Sequence, residues 1–172
     1  FGYELCDISS ALVNTNFGSS NGSDLIIKGR TMGELIKNYD LEQSEDQGSI
    51  IVVIGTDLPL DSRQLKRICK RAELGIARTG SYAGHGSGDI MVAFTTKNKV
   101  HHDNKHATEL VERFSDDYIN ICFKAVVDAT EEAILNSMLS SDGVKSYNGK
   151  YYKSLNEYQD LFKDLLEEEM KK

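Results

Sequence analysis

The chain has 172 residues, 40% hydrophobic and 27% charged, with a formal net charge of −7. That length and mix suit one globular domain, or a large piece of one, with enough apolar material for a core that needs no staple. The acidic balance argues against a broad electrostatic grip on nucleic acid, which needs a basic face, and no apolar run reaches the roughly 18 residues of a membrane span.

Cys6, Cys69 and Cys122 are odd in number and far apart, without a Cys-x-x-Cys. A disulfide framework is not expected, and the reading is a reducing, cytoplasmic protein. No signal peptide is visible. Phe1 rather than Met opens the sequence, which leaves room for an upstream segment.

Residues 10–17 (SALVNTNF) read as a strand ending in a loop, and 18–23 (GSSNGS) as a turn-rich stretch. Residues 25–27 form a short second strand and 31–39 a short helix. Residues 41–48 (LEQSEDQG) are acidic and aperiodic, an exposed linker. The character changes at Ser49. Residues 49–54 (SIIVVI) are apolar on both faces, the pattern of a central strand buried on both sides. A turn (GTDLPL, 55–60) follows, and Asp61 or Ser62 caps a helix whose apolar side is Leu65, Ile68, Cys69, Ala72 and Ile76. Arg63, Lys66, Arg67, Lys70 and Arg71 read as its wet face. Residues 80–88 are glycine-rich, 90–95 (IMVAFT) form a second buried strand, and 97–106 a polar loop. Residues 115–139 read as a long helix with a stripe of Ile119, Cys122, Val126, Ala129, Ala133 and Leu139. Asn148-Gly149 marks a turn between short extended pieces, and 155–172 a final polar helix. Alternating strands and helices make the class α/β, or α+β with helices covering a sheet.

Three segments could carry chemistry. A serine that opens a buried strand after a polar linker is oddly placed unless the bond before it is cut. Glycine at the preceding carbonyl tolerates the strained backbone that cutting the Gly48–Ser49 bond requires. Cleavage would give Ser49 a free α-amine with a pKa near 8, roughly one unit from neutral, able to take the hydroxyl proton. The plainer alternative is a strand-start serine.

In the second segment, Gly84-His85-Gly86-Ser87-Gly88-Asp89, the glycines permit close backbone approach. Ser87 and Asp89, two apart in an extended run, point the same way as a proton relay or an orienting pair. The segment leads into a strand and lacks Lys-Ser/Thr, so both nucleotide fingerprints fail. In the third, Asn14 to Gly18 (NTNFG), an asparagine amide at a strand end could donate to a developing oxyanion. His101, His102 and His106 cluster, but no carboxylate or thiolate completes a zinc pattern. The cysteines show no sign of activation, and His85 sits inside the glycine loop, where it could line a pocket.

Taken in order, GSIIVVIGTDLPL (48–60), QLKRICKRA (64–72), LGIARTG (74–80), GHGSGDI (84–90) and ATEEAILN (129–136) resemble one family. It is that of the L-aminopeptidase/D-esterase DmpA and the β-peptidyl aminopeptidases. The resemblance runs from about residue 11 to residue 136. It implies a four-layer αββα sandwich, shared with ornithine acetyltransferase and similar to the N-terminal nucleophile hydrolases. It also implies a precursor that cuts itself into two chains that stay together.

By position, Ser49 matches the nucleophile, Ser87 the second serine that contacts the nucleophile and its amine, and Asn16 the oxyanion asparagine. Asp89 matches an acidic position that some members fill with Glu. Residues 1–48 then correspond to the end of the first chain with its cleavage linker, and 49–172 to the chain that starts at the nucleophile. The family's long N-terminal portion, with a substrate-lining tyrosine, is expected outside this sequence, and Tyr3 is not that tyrosine. The implied activity is release of N-terminal residues from small peptides, amides or esters, without metal or other cofactor, by a homo-oligomer, a tetramer by resemblance. An acyltransferase of the ornithine acetyltransferase type, whose nucleophile is threonine, and a non-catalytic scaffold are the rivals.

Overall fold

The computed structural model describes residues 10–16, 24–32, 48–100, 102–103, 105–158 and 160. Cys6, His101, the linker 41–47, and most of the expected helices at 31–39 and 155–172 lie outside them. A three-stranded sheet is ordered β1 (Ser10–Asn16), β4 (Ser49–Thr56), β5 (Ile90–Thr95). β1 pairs antiparallel with β4, with Asn16 opposite Ser49. β4 and β5 are parallel, starting with Ile51 opposite Ile90. A parallel pair needs a long crossover, and α1 (Ser62–Arg78) supplies it. A second helix, α2 (Ile119–Ser140), follows one turn of 3₁₀ helix at Asp116–Tyr118.

Both helices lie on one face of the sheet. Ile50, Val52 and Ile54 of β4 meet Ile68, Ala72 and Ile76 of α1 and Ile119, Cys122, Val126 and Ile134 of α2. Each aliphatic side chain so buried contributes about 1.5–3 kcal/mol. α1 starts where the sequence places it. Asp61 accepts from the Gln64 N–H at 2.7 Å, and Gln64 Oε1 accepts from the Asp61 N–H at 3.0 Å, a reciprocal capping box. Buried Gln64 also donates through Nε2 to the Phe114 carbonyl and to Asp116, both at 2.8 Å, so its amide is satisfied.

The other face of the sheet is open. Ile51, Ile90, Val92 and Phe94 are 42–54% exposed. β4 is central, as its composition implies, but neither β4 nor β5 is buried on both sides here. Their two apolar faces need two covering layers, and the described residues provide the helical one. These are one α and one β layer of the expected sandwich.

Other differences are local. Thr31 belongs to a strand pair, β2 (Ile26–Ile27) with β3 (Arg30–Thr31), joined through Lys28 and Gly29 at positive φ. On α2 the buried set is Ile119, Cys122, Val126, Val127, Thr130 and Ile134. Leu139 is 41% exposed, because six residues past Ala133 is about 240° further round a helix. The basic face of α1 is not simply wet. Arg67 and Arg71 stack on the Phe123 ring at 5.0 and 3.9 Å, and Arg63 reaches Asp116 at 2.6 Å. The Asn148-Gly149 turn joins β6 (Val144–Lys145) to β7 (Tyr151–Tyr152) as expected. Residues 155–158 form a 3₁₀ turn.

Candidate active site

Ser49 is the first residue of the central strand, half-buried, on the open-face side of the alternation. Gly48 before it is buried. Each neighbour of Ser49 arrives by a different route. β1 brings Asn16 by antiparallel register. The crossover through α1 returns the chain to the start of β5, which brings residues 87–89. Between α1 and β5 the chain turns at Gly80 (φ 105°) and Ala83 (φ 50°), then at Gly84–Ser87, closed by the Ser87 N–H to the Gly84 carbonyl at 2.8 Å.

The Gly88 N–H donates to Ser49 Oγ at 3.1 Å. A Cβ on residue 88 would lie 3.2 Å from that oxygen, tighter than ordinary van der Waals contact, so glycine is what lets the backbone come this close. The Ser87 hydroxyl donates to Asp89 Oδ1 at 2.6 Å. The side-by-side placement expected from their spacing is therefore present. The same Oδ1 accepts the Ile50 N–H at 3.3 Å. The Ser49 hydroxyl, a backbone N–H donor, a second hydroxyl and a carboxylate thus converge at one end of the sheet, from segments 39 residues apart in sequence.

The Gly88 and Ile50 amides were not expected individually. The alternating glycines signalled a close approach, but which amide makes it depends on the β4–β5 register. His85 is exposed at the tip of the Gly84–Ser87 turn. His102 and His106 are on the exposed loop after β5. Among the described residues no group of three or more His, Cys, Asp or Glu side chains could hold a metal ion. Burial raises the Cys69 thiol above its ordinary value, the opposite of activation. Among the described residues no helix is long and apolar enough to cross a membrane.

Comparison with known proteins gives this geometry a family. The model of Peptidase family S58 matches residues 8–152. The chain belongs to that family. It is 35% identical over 150 residues to the β-peptidyl aminopeptidase BapA of Sphingosinicella xenopeptidilytica, covering 80% of this chain and 37% of BapA. A protein of solved structure from Pyrococcus horikoshii OT3 superposes with a TM-score of 0.76 at 42% identity, over 88% of this chain and 40% of that one. The L-aminopeptidase D-Ala-esterase/amidase of Ochrobactrum anthropi, described as a prototype serine aminopeptidase with a variant of the Ntn hydrolase fold, gives 0.66 at 27% identity, over 85% and 45%. The chain therefore spans less than half the length of each of these relatives, and its fold is theirs.

Proposed function

We propose that the protein containing this chain is a self-processing serine aminopeptidase. The observation that carries the proposal is the convergence of Ser49, Gly88, Ser87 and Asp89 at the strand end where Asn16 is the register partner. Ser49 Oγ first attacks the Gly48 carbonyl; the C–N bond breaks, the nitrogen takes the hydroxyl proton and becomes the free Ser49 α-amine, and water hydrolyses the resulting ester, which separates the chains and restores the Ser49 hydroxyl. In each later cycle that amine takes the hydroxyl proton as Oγ attacks the carbonyl after the substrate's first residue. The same proton passes to the departing amine, or to the alcohol of an ester. Water then releases the amino acid from the acyl-enzyme. The oxyanion is held by Asn16 and by the Gly88 N–H, which lies 3.1 Å from the nucleophile's oxygen and so beside the carbonyl oxygen two bonds away on which the charge develops.

The substrates are small peptides, amides or esters. The names of the BapA and Ochrobactrum relatives favour this class, and the steps use only groups of the chain itself. The working enzyme is a cytoplasmic homo-oligomer, a tetramer by resemblance. In the full-length protein, Ser49→Ala leaves one uncut mass and no release of amine from an aminoacyl amide, whereas the wild type gives two masses that sum to the precursor. A Ser49→Ala protein that still splits on a denaturing gel overturns the proposal.

A further inference from the structure

We propose that Asp89 is a positioning residue that sets the backbone of Ser49 through the Ile50 amide, and that it need not carry charge to do so. The inference rests on the reading of Ser49 as nucleophile and adds a role that the motif alone does not specify.

The β4–β5 ladder begins at Ile51 and Ile90. One residue earlier, where β5 has not yet begun, the Ile50 N–H turns to the Asp89 side chain instead. The carboxylate adds one rung to the ladder, beside the nucleophile. An aspartate stem is short, and the half-buried Asp89 oxygen holds two donors at once, which fixes the side chain. The Ile50 amide is bonded directly to the Ser49 carbonyl carbon, so holding it orients the Ser49 backbone against the Gly88 N–H. That N–H meets Ser49 Oγ at 3.1 Å, so a shift of the Ser49 backbone is felt directly at this contact. The bond to Ser87 has a second effect. A serine has one O–H, and here it is directed at Asp89, so toward any other group Ser87 Oγ can only accept. Both effects require an acceptor oxygen at Oδ1. A neutral amide oxygen supplies one, with bonds about half as strong as those to a carboxylate.

The test compares Asp89→Asn with Asp89→Ala in the full-length protein. The readouts are self-cleavage rate, kcat and KM on an aminoacyl amide, the pH–rate profile, and hydrogen exchange at the Ile50 amide. Asp89→Asn is expected to lose about tenfold or less in kcat, with an unshifted pH profile and Ile50 still protected. Asp89→Ala is expected to lose roughly a hundredfold, the scale of a nucleophile displaced by about 1 Å, with KM little changed and faster exchange at Ile50. The proposal is overturned if Asn costs as much as Ala, if Asn moves a limb of the pH profile, or if Ile50 exchange in Ala equals wild type. Should Asp89→Ala fail to fold, Asp89→Asn decides alone: a loss within about tenfold at an unshifted profile supports the proposal, and anything larger, or any shift, sinks it. A wild type that neither splits nor turns over an amide defeats the nucleophile reading instead, and Ile50 exchange in the two variants still tests the clamp.

Discussion

Gly75 packs directly against α2, and replacing it with alanine tests how tightly the helical layer is packed. In an open helix the change would stabilise, since glycine costs about 1 kcal/mol relative to alanine. Gly75 is buried, however. An added Cβ would lie 2.6 Å from the Val127 carbonyl oxygen, 2.7 Å from Thr130 Cβ and 3.2 Å from the Glu131 N–H. Two of those atoms are α2 backbone, which cannot rotate away, so relief needs the helices to move apart by roughly 0.5–1 Å. A gap of that size forfeits a quarter to a half of each dispersion contact it opens. The Arg78 ion pairs to Asp128 and Glu131, at 2.6 and 3.0 Å, bridge the same helices one turn on. Overpacking of this kind costs about 1–3 kcal/mol, and the helix-propensity gain offsets up to about 1. With two contacts below 3.0 Å the cost falls in the upper half of that range, about 2–3 kcal/mol, so after an offset of about 1 the expected net loss in Gly75→Ala is about 1–2 kcal/mol, read from urea unfolding of the full-length protein followed by circular dichroism. Glu73→Ala, at an exposed site on the same helix, is the control and should stay within about 0.5 kcal/mol. A Gly75→Ala protein as stable as wild type, or more so, would refute the close packing of α1 on α2.

Two further substitutions probe the site and the rim of the helical layer. Gly88→Ala should fold normally, because residue 88 is exposed, yet lower kcat at least tenfold by pushing Ser49 Oγ a few tenths of an ångström; unchanged turnover counts against the 3.1 Å approach. Asp116 is held below its ordinary carboxylate range by Gln64 first and Arg63 second. A depressed folded-state pKa means stability that is present above about pH 4 and lost as pH falls through the folded value. Asp116→Asn should therefore be less stable than wild type at neutral pH, with the gap closing from about pH 4 downward; a gap constant from pH 7 to 3 contradicts the Gln64–Asp116–Arg63 contact.

Much of the site was legible in the sequence because its signals are local. The Ser87–Asp89 spacing, the glycines around them and the break at Ser49 each act over a few residues. The cap of α1 at Asp61 or Ser62 and the Asn148-Gly149 turn were legible for the same reason, although the reciprocal bond from Gln64 was not. What was not legible depends on partners distant in sequence. The Asp89 bond to Ile50 follows from where β5 starts relative to β4, which the crossover through α1 and the 80–89 loop fixes together. The sheet looked doubly buried because Ile51, Val92 and Phe94 are as apolar as Ile50 and Val52. Composition says that a face needs covering, not which part of a protein covers it. On α2, the 3–4 spacing that places Ile119 to Ala133 on one stripe breaks at Leu139, six residues further on, and helical geometry turns that residue out.

Ser49 and Gly88 meet only after β4, α1 and β5 have assembled. Under the proposed mechanism an unfolded or half-folded chain therefore has a serine but no cutting site. Scission becomes a quality-control mark: the ratio of split to unsplit chain in a cell extract records the fraction of molecules that reached the native sheet. Under the same mechanism the bond to be cut sits at the head of a strand paired on both sides, so breaking it would remove no rung of the ladder, and the severed protein would keep the architecture that cut it.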